Sequence, residues 1–310
     1  MYGPYFLVFY GFVITFTLIF LRIAKSGIDK TNHLPLPPVP VQIDPYEIAY
    51  LRGGINEVAR SVIFSLMKKG YIELKTEGKT TEIKRVNNHT NNNLSVIERQ
   101  ALTWLGDSHE VNKIFQSGGL NAQLESCGRT YQTRLESQQM LVGDNLKIAF
   151  SPWKWTAYLI ILALGIYKFL AALANEQYNI VGVIVMTLGG FFIAGAVAKL
   201  PRVTELGKAY LERLQLAFDS LKYQSQAAYL PTNQGKILPQ PSFAGVDPLL
   251  LSVGIFGSGI LVGTVFDNYN QAFQRAQQQS AASSCGSGCG SSCSSGDGGG
   301  SGCGGCGGGD

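Results

Sequence analysis

Five of the six cysteines in this chain crowd into its last stretch, "SSCGSGCGSSCSSGDGGGSGCGGCGGGD". Cys285, Cys289 and Cys293 recur every fourth residue, and Cys303 and Cys306 form a CxxC pair. Thiolates spaced this way can hold soft ions such as zinc or Cu(I), or serve as a redox element. Zinc, however, usually takes two close pairs on a scaffold that fixes four ligands tetrahedrally. Here the single CxxC is joined to a CxxxCxxxC run, and the surrounding glycines and serines supply no scaffold. Ordering the backbone costs about 1–2 kcal/mol per residue, which only metal bonds could offset. Residues 268–310 therefore read as a disordered tail with solvated thiols, zinc or copper binding at the five cysteines being the alternative. The sixth, Cys127, stands alone in the body of the chain. No disulfide framework holds the fold, and the body suits a reducing compartment.

Elsewhere the residue types that do catalysis are scattered. His33, His89 and His109 fall in a linker, an Asn-rich insertion and a loop, and none has a carboxylate or second histidine at ligand or catalytic spacing. Gly53-Gly54 is followed by Ile-Asn-Glu, not by the Lys-Ser/Thr of a phosphate-binding loop. The sequons Asn88-His89-Thr90 and Asn93-Leu94-Ser95 have no use on a cytoplasmic segment. The sequence thus predicts no enzyme, no catalytic residue and no cofactor beyond a metal on the tail. One other cluster is of interest, "DPYEIAYLRGG", whose Tyr46, Glu47 and Arg52 are candidates for contacting a protein. The structural alternative for Arg52 is pairing with a neighbour such as Glu47, five residues earlier, or capping its helix.

The elements that must position these residues begin with a run from Met1 to Leu21 that carries no charge, about the length of a helix that crosses a bilayer. Arg22, Lys25 and Lys30 follow this run instead of preceding it. It reads as an uncleaved anchor over residues 1–24, with Met1 outside and residues 25–154 cytoplasmic. Two more apolar runs, Thr156 to Ala174 and Ile180 to Ala198, are separated only by "NEQYN" and form a transmembrane hairpin over residues 155–198. Lys154 before the pair and Lys199, Arg202 and Lys208 after it place both outer ends in the cytoplasm, and Trp153 and Trp155 suit the aromatic belt. Lys168 lies near the far end of its helix and can snorkel outward; an ion path is the alternative. Gly190, Ala194 and Ala198 make a small-residue stripe that suits close packing, within the hairpin or between copies in a homo-oligomer.

A fourth run, Leu249 to Phe266, is glycine-rich and carries Gly259 and Gly263 in a GxxxG pattern. Arg213, Lys222 and Lys236 precede it and only Arg275 follows. That asymmetry favours a fourth span over residues 247–267 with the tail outside; a helix buried against the cytoplasmic domain is the rival.

Between anchor and hairpin, residues 25–43 include "LPLPPVPV", a stiff polyproline spacer or a ligand for an aromatic groove. Residues 44–150 follow. Asp44, Pro45 and Glu47 make a capping box with Asp in the cap role, and Gly53 and Gly54 stop that helix. Ile55, Val58, Ala59, Val62, Ile63, Leu66 and Met67 recur at helical spacing. "YIELKT" and "TEIKRV" flank "EGK" as a hairpin. Helix, helix and hairpin are the skeleton of a winged-helix unit. A second capping box at Ser95–Glu98, a helix around "LNAQLESCGRTYQTRLESQQML" and a small strand at "VGDNL" outline a tandem copy. Residues 199–246 carry a cytoplasmic helix with Leu206, Tyr210, Leu214, Ala217, Phe218 and Leu221 on one face, then a linker. Winged helices often bind DNA, but residues 44–150 hold thirteen bases against twelve acids, a net charge of +1. That is too little for a phosphate-tracking surface. No nucleic acid is expected, and a protein partner is.

"DPYEIAYLRGG", the L-x-x-x-G helix end at Leu66 to Gly70, the apolar runs, "RVTELGKAYLERL" and the Gly/Cys-rich tail together resemble a group of uncharacterised bacterial membrane proteins. The "YExAxLRGG" stretch is the most specific part. The resemblance implies bacterial origin and a membrane location, read here as the inner membrane, and brings no activity and no catalytic residues. The expected fold is mainly α: a multi-span helical membrane protein carrying a small α+β winged-helix-like cytoplasmic domain and a disordered tail. The expected role is a non-catalytic protein-interaction or scaffold protein in the lipid bilayer. The alternative is a thiol- or metal-responsive membrane protein using its tail.

Overall fold

The computed structural model describes residues 3–29, 31–39, 42–77, 80–86, 94–106, 108–116, 118–174, 181–229 and 246–274. In chain order its elements are α1 (Gly3–Ile28), α2 (Pro45–Gly53), α3 (Ile55–Lys68), β1 (Ile72–Glu77), β2 (Thr80–Arg85), α4 (Val96–Leu105), β3 (Ser108–Glu110), α5 (Val111–Ile114) and α6 (Leu120–Ser137). Then come α7 (Asp144–Ala174), α8 (Val181–Val197), α9 (Glu205–Ala217), α10 (Asp219–Ala228), α11 (Pro248–Phe256) and a last helix, α12, over 267–274.

Helices α1, α7 and α8 pack on one another as a bundle. Tyr5–Ile28 and Asp144–Leu170 are long and apolar enough to cross a membrane, and Gly182–Val197 is a shorter apolar helix. The bundle's interior is small: Tyr10, Ile14, Leu21, Ile161 and Ala194 are buried there. Its outside is covered by Phe12, Phe16, Leu159, Tyr167, Val185 and Phe192, each more than 60% exposed. A continuous apolar belt of that kind is a surface made for lipid or a partner, not for water.

The small-residue stripe is used within the chain. A Cβ on Gly190 would sit 3.0 Å from Ile14, and Ala194 and Ala198 are buried in the same cluster. So α1 covers the stripe that the sequence left open to a second copy. Helices α7 and α8 also approach closely, since a Cβ on Gly165 would meet Thr187 Oγ1 at 2.6 Å.

The remaining helices build a separate core around α3, whose Val58, Ala59, Val62, Ile63, Phe64 and Leu66 are fully buried. A 3.6-residue period with charges between the apolar positions makes this helix central. Strands β1, β2 and β3 form an antiparallel sheet in that order, with Leu74 opposite Ile83. The hairpin is as expected; the third strand, returning after α4, is not in the sequence reading.

The run from Leu249 to Phe266 is not a span. Asp247 caps α11 by accepting from Leu249 N (3.0 Å), Pro248 sits in its first turn, and Gly257 at φ +96° ends it. Nine helical residues reach about 13 Å, against about 30 Å of bilayer hydrocarbon. The helix is apolar all round because it lies inside the domain: Leu249, Leu251, Val253 and Ile255 are buried in the α3 core, and Gly254 meets Pro45 O. Gly259 and Gly263 fall in a 3-10 turn and the loop after it, so their spacing packs no helices.

Among the described residues the strand expected at the end of a tandem copy does not form. After α6 the chain turns at Gln139 (φ 59°), Leu141 makes one bridge to Val203, and Asp144 already begins α7. "VGDNL" therefore starts the long helix instead of a strand, and α7 begins eleven residues before the expected hairpin at 155.

Candidate functional site

Where the bundle meets the domain, every helix end carries cations. Arg22 and Lys25 sit near the end of α1, Lys147 and Lys154 in the first turns of α7, Lys199 and Arg202 on the connection from α8 to α9, and Lys208 in the first turn of α9. Pro201 lies in that connection, and Thr204 caps α9 by accepting from Gly207 N (3.1 Å). The turn at Leu200 and Pro201 forms a wall between two clefts. One, about 610 Å³, is lined by Lys147, Lys154, Lys199 and Arg202 above Phe150 and Leu200. The other, about 680 Å³, is lined by Arg22, Lys25, His33 and Lys208.

Their electrostatics differ. In the second cleft the acids are committed: Asp29 accepts from Thr31 N, Thr31 Oγ1 and Glu205 N, and Glu205 pairs with Lys208 at 2.7 Å. Burial raises the Asp29 carboxyl, but the Thr31 and Glu205 hydrogen bonds outweigh it and leave it below its ordinary value. In the first cleft four cations line the walls with one carboxylate, Glu136, which accepts from Gln132 at 2.8 Å, and Lys147 pairs with Asp144 at 2.8 Å. Among the described residues, no acidic partner stands within salt-bridge distance of Lys154 or Lys199. Arg202 donates to Tyr50 O (2.7 Å), stacks 4.5 Å over the Tyr50 ring and rests on Gly54, a glycine at φ +77°. It bolts the domain to the bundle. Asp29 does the same from the α1 side. The proline-rich segment is accordingly no free-standing spacer, since Thr31 Oγ1 accepts from Leu206 N (3.2 Å) and Pro37 and Pro38 line a cleft with Leu51 and Tyr210.

The candidate interaction residues are placed elsewhere. Tyr46 is buried and donates to Glu98 Oε1 at 2.7 Å. Glu47 pairs with Arg134 at 3.3 Å, not with Arg52 or its own helix start, so Asp44 is an N-cap without the reciprocal box. Arg52 pairs with Glu57 of the next helix and lies against Gly257. The three side chains are spent inside the domain and form no common surface. His109 lies on β3 with its ring 4.4 Å from Trp104 and Nδ1 2.9 Å from Leu105 O. Lys168 sits over the Phe6 ring at 4.9 Å. His89, Cys285, Cys289, Cys293, Cys303 and Cys306 lie outside the described residues. Among the described residues no three His, Cys, Asp or Glu side chains group as metal ligands.

One polar centre escapes a linear reading. Glu98, the second half of the Ser95 capping box, is buried and accepts from Tyr46 OH, Ser65 Oγ, Lys69 Nζ (2.7 Å) and Ser95 N (2.8 Å). Burial pushes its carboxyl up, but the bonds from Lys69, Ser65 and Tyr46 prevail and hold it below the usual glutamate value. The Tyr46 phenol is pushed far up, by burial first and by the Glu98 charge second. The centre ties α2, α3 and α4 together.

A bundle of apolar helices, two of them long enough to cross a membrane, carrying a helical domain clamped to its cationic end has the composition of a membrane protein. Residues 38–218, more than half of the chain, match the family model described as the C-terminal domain of a predicted membrane protein (DUF2207), and the chain belongs to that family. No curated protein and no solved structure matches it.

Proposed function

We propose that this chain is a non-catalytic scaffold of the bacterial inner membrane. In this reading three helices cross the bilayer with the N-terminus outside, and the bundle holds a winged-helix-like domain rigidly at the cytoplasmic surface for a protein partner to dock. The observation that carries the proposal is the double clamp, Arg202 on Tyr50 and Asp29 on the start of α9, which ties the domain to both chain crossings. The clefts at this junction are rich in cations, and Asp29 and Glu205 of the second are already spent in hydrogen bonds and an ion pair. The near-neutral charge of residues 44–150 favours protein over nucleic acid.

The domain's own exposed apolar side chains, Leu216 on α9, Tyr223 on α10 and Val96 on α4, are where a partner would touch. A photo-crosslinking residue placed at each of these positions in the full-length protein, in intact cells, should give a discrete protein adduct from at least one of them. Lipid adducts alone, or none, would sink the scaffold reading.

A further inference from the structure

We propose that the first cleft binds the phosphate headgroup of an anionic phospholipid at the cytoplasmic boundary of the bundle. This rests on the reading that the bundle spans a bilayer. Lys154, Lys199 and Arg202 line that cleft together with the apolar residues Phe150, Leu200 and Pro201. A phospholipid combines the matching parts, an anionic phosphodiester and an apolar acyl chain. The cleft's volume of about 610 Å³ lies within the usual range for small-molecule sites, roughly 300–1,000 Å³.

Its height fits as well. Trp153 packs on Phe20 with ring centroids 5.4 Å apart, and Trp155 is exposed two residues on. Aromatic residues of that kind sit at the headgroup level, and Lys154 lies between them in the chain. Arg202 uses one nitrogen on Tyr50 O; a guanidinium has five N–H groups in a planar fork suited to phosphate. Lys147 is matched by Asp144 at 2.8 Å, whereas Lys154 and Lys199 have no salt-bridge partner among the described residues, and an anion seated between them gains both charges. Basic pockets between membrane helices on this side of a bilayer are known binders of anionic headgroups.

The test uses the full chain in nanodiscs of phosphatidylcholine alone and of equal parts phosphatidylcholine and phosphatidylglycerol. Native mass spectrometry counts the lipids retained. The mixed discs should yield protein with phosphatidylglycerol kept in preference to phosphatidylcholine. Each cation near the surface contributes about fivefold, so Lys154→Gln with Lys199→Gln should cut the preference by about twenty-five-fold. The exposed pair Lys84→Gln with Lys113→Gln, on the sheet side of the domain, should leave it unchanged. Equal retention of both lipids, or an equal loss in the control pair, overturns the proposal. Inorganic phosphate added to the phosphatidylcholine discs separates the lipid from a free anion. If it raises the unfolding temperature as much as phosphatidylglycerol does, the site takes soluble phosphate and the lipid assignment fails. Failure of the protein to insert in either disc would overturn the membrane reading and this proposal with it. Insertion without lipid preference overturns this proposal alone.

Discussion

Phe12 and Phe64 are the same side chain in opposite situations. Phe12 projects from α1 at 71% exposure, among Phe9, Phe16 and Ile19, whereas Phe64 is fully buried on α3 against the edges of Phe266 and Tyr269. The bundle thus wears many of its large apolar residues outside, around a small interior of Phe6, Tyr10, Ile14, Leu21, Ile161 and a few alanines. The domain does the reverse. Water drives the second arrangement and gives nothing to the first, since lipid tails are as apolar as phenylalanine. What holds the bundle is close contact and a few hydrogen bonds; what holds the domain is burial of area.

Truncating both phenylalanines is the strongest way to break that contrast. Phe64→Ala should cost the domain about 3–5 kcal/mol, the usual range for a buried phenylalanine. Phe12→Ala should change stability by less than about 0.5 kcal/mol, as is usual for an outward-facing site away from special features. Urea titration in detergent, followed by the fluorescence of Trp104 in the domain, reads both. A comparable loss at both positions would mean that α1 is buried by another element or copy.

The buried carboxylate comes next. Glu98→Gln removes the charge that faces Lys69 and leaves a neutral amide among donors, at a cost of about 2–4 kcal/mol. Its pH signature has a definite sign. The native carboxyl titrates below the unfolded one, so the unfolded chain takes up the proton more readily. The stabilisation from Glu98 is complete above the ordinary glutamate range, near pH 4.3, and is lost as pH falls through the lower native value. The wild-type unfolding midpoint should therefore drop in that window, and Glu98→Gln should flatten the drop. An unchanged slope in the variant would remove Glu98 from the account.

Arg202→Met tests the join between the two regions. It forfeits a charged hydrogen bond to Tyr50 O, about 1.5–3 kcal/mol, and the stacking on the Tyr50 ring at the edge of the domain core. Hydrogen exchange should accelerate at residues 199–204 and around Tyr50, while amides of α3 stay protected. Uniform acceleration would show that the two halves unfold as one.

Legibility followed the same division. Helical periodicity gave α3, turn residues gave the β1–β2 hairpin, and the Ser95–Glu98 box marked the start of α4, because each signal lies within a few residues. The apolar runs of α1, α7 and α8 were plain for the same reason. Leu249 to Phe266 reads as a span from sequence because a helix apolar all round looks alike whether lipid or protein surrounds it. Its true setting depends on Asp247, which caps α11 and pairs with Lys68 at 2.5 Å across 179 positions of chain. Glu98 was legible as a cap and not as a hub, since Tyr46 and Ser65 reach it from other helices. Tyr46, Glu47 and Arg52 looked like a surface motif because a capped helix displays such residues locally. Only the fold shows that Glu98, Arg134 and Glu57 take them up. The cations of the cleft were visible from the start, but as topology signals at separate helix ends, and convergence is not written in a linear pattern.

The smallest expected effect bears on the bundle's interior. Tyr10 is fully buried on α1, and its hydroxyl donates to Ile161 O of α7 at 2.8 Å and lies 3.2 Å from Thr187 Oγ1 of α8. This contact joins all three helices. In water a buried hydroxyl pair of this kind would be worth about 1 kcal/mol. In a membrane such bonds average about 0.6 kcal/mol, because the separated helices find other partners. Tyr10→Phe keeps the ring against Phe6 and removes only the oxygen, so it should cost about 0.6–1 kcal/mol. Steric trapping or detergent-titrated unfolding of the full chain can read a change of that size. A loss above about 2 kcal/mol would mean that the bundle leans on polar contacts as the domain leans on Glu98, and the contrast between the two halves would close.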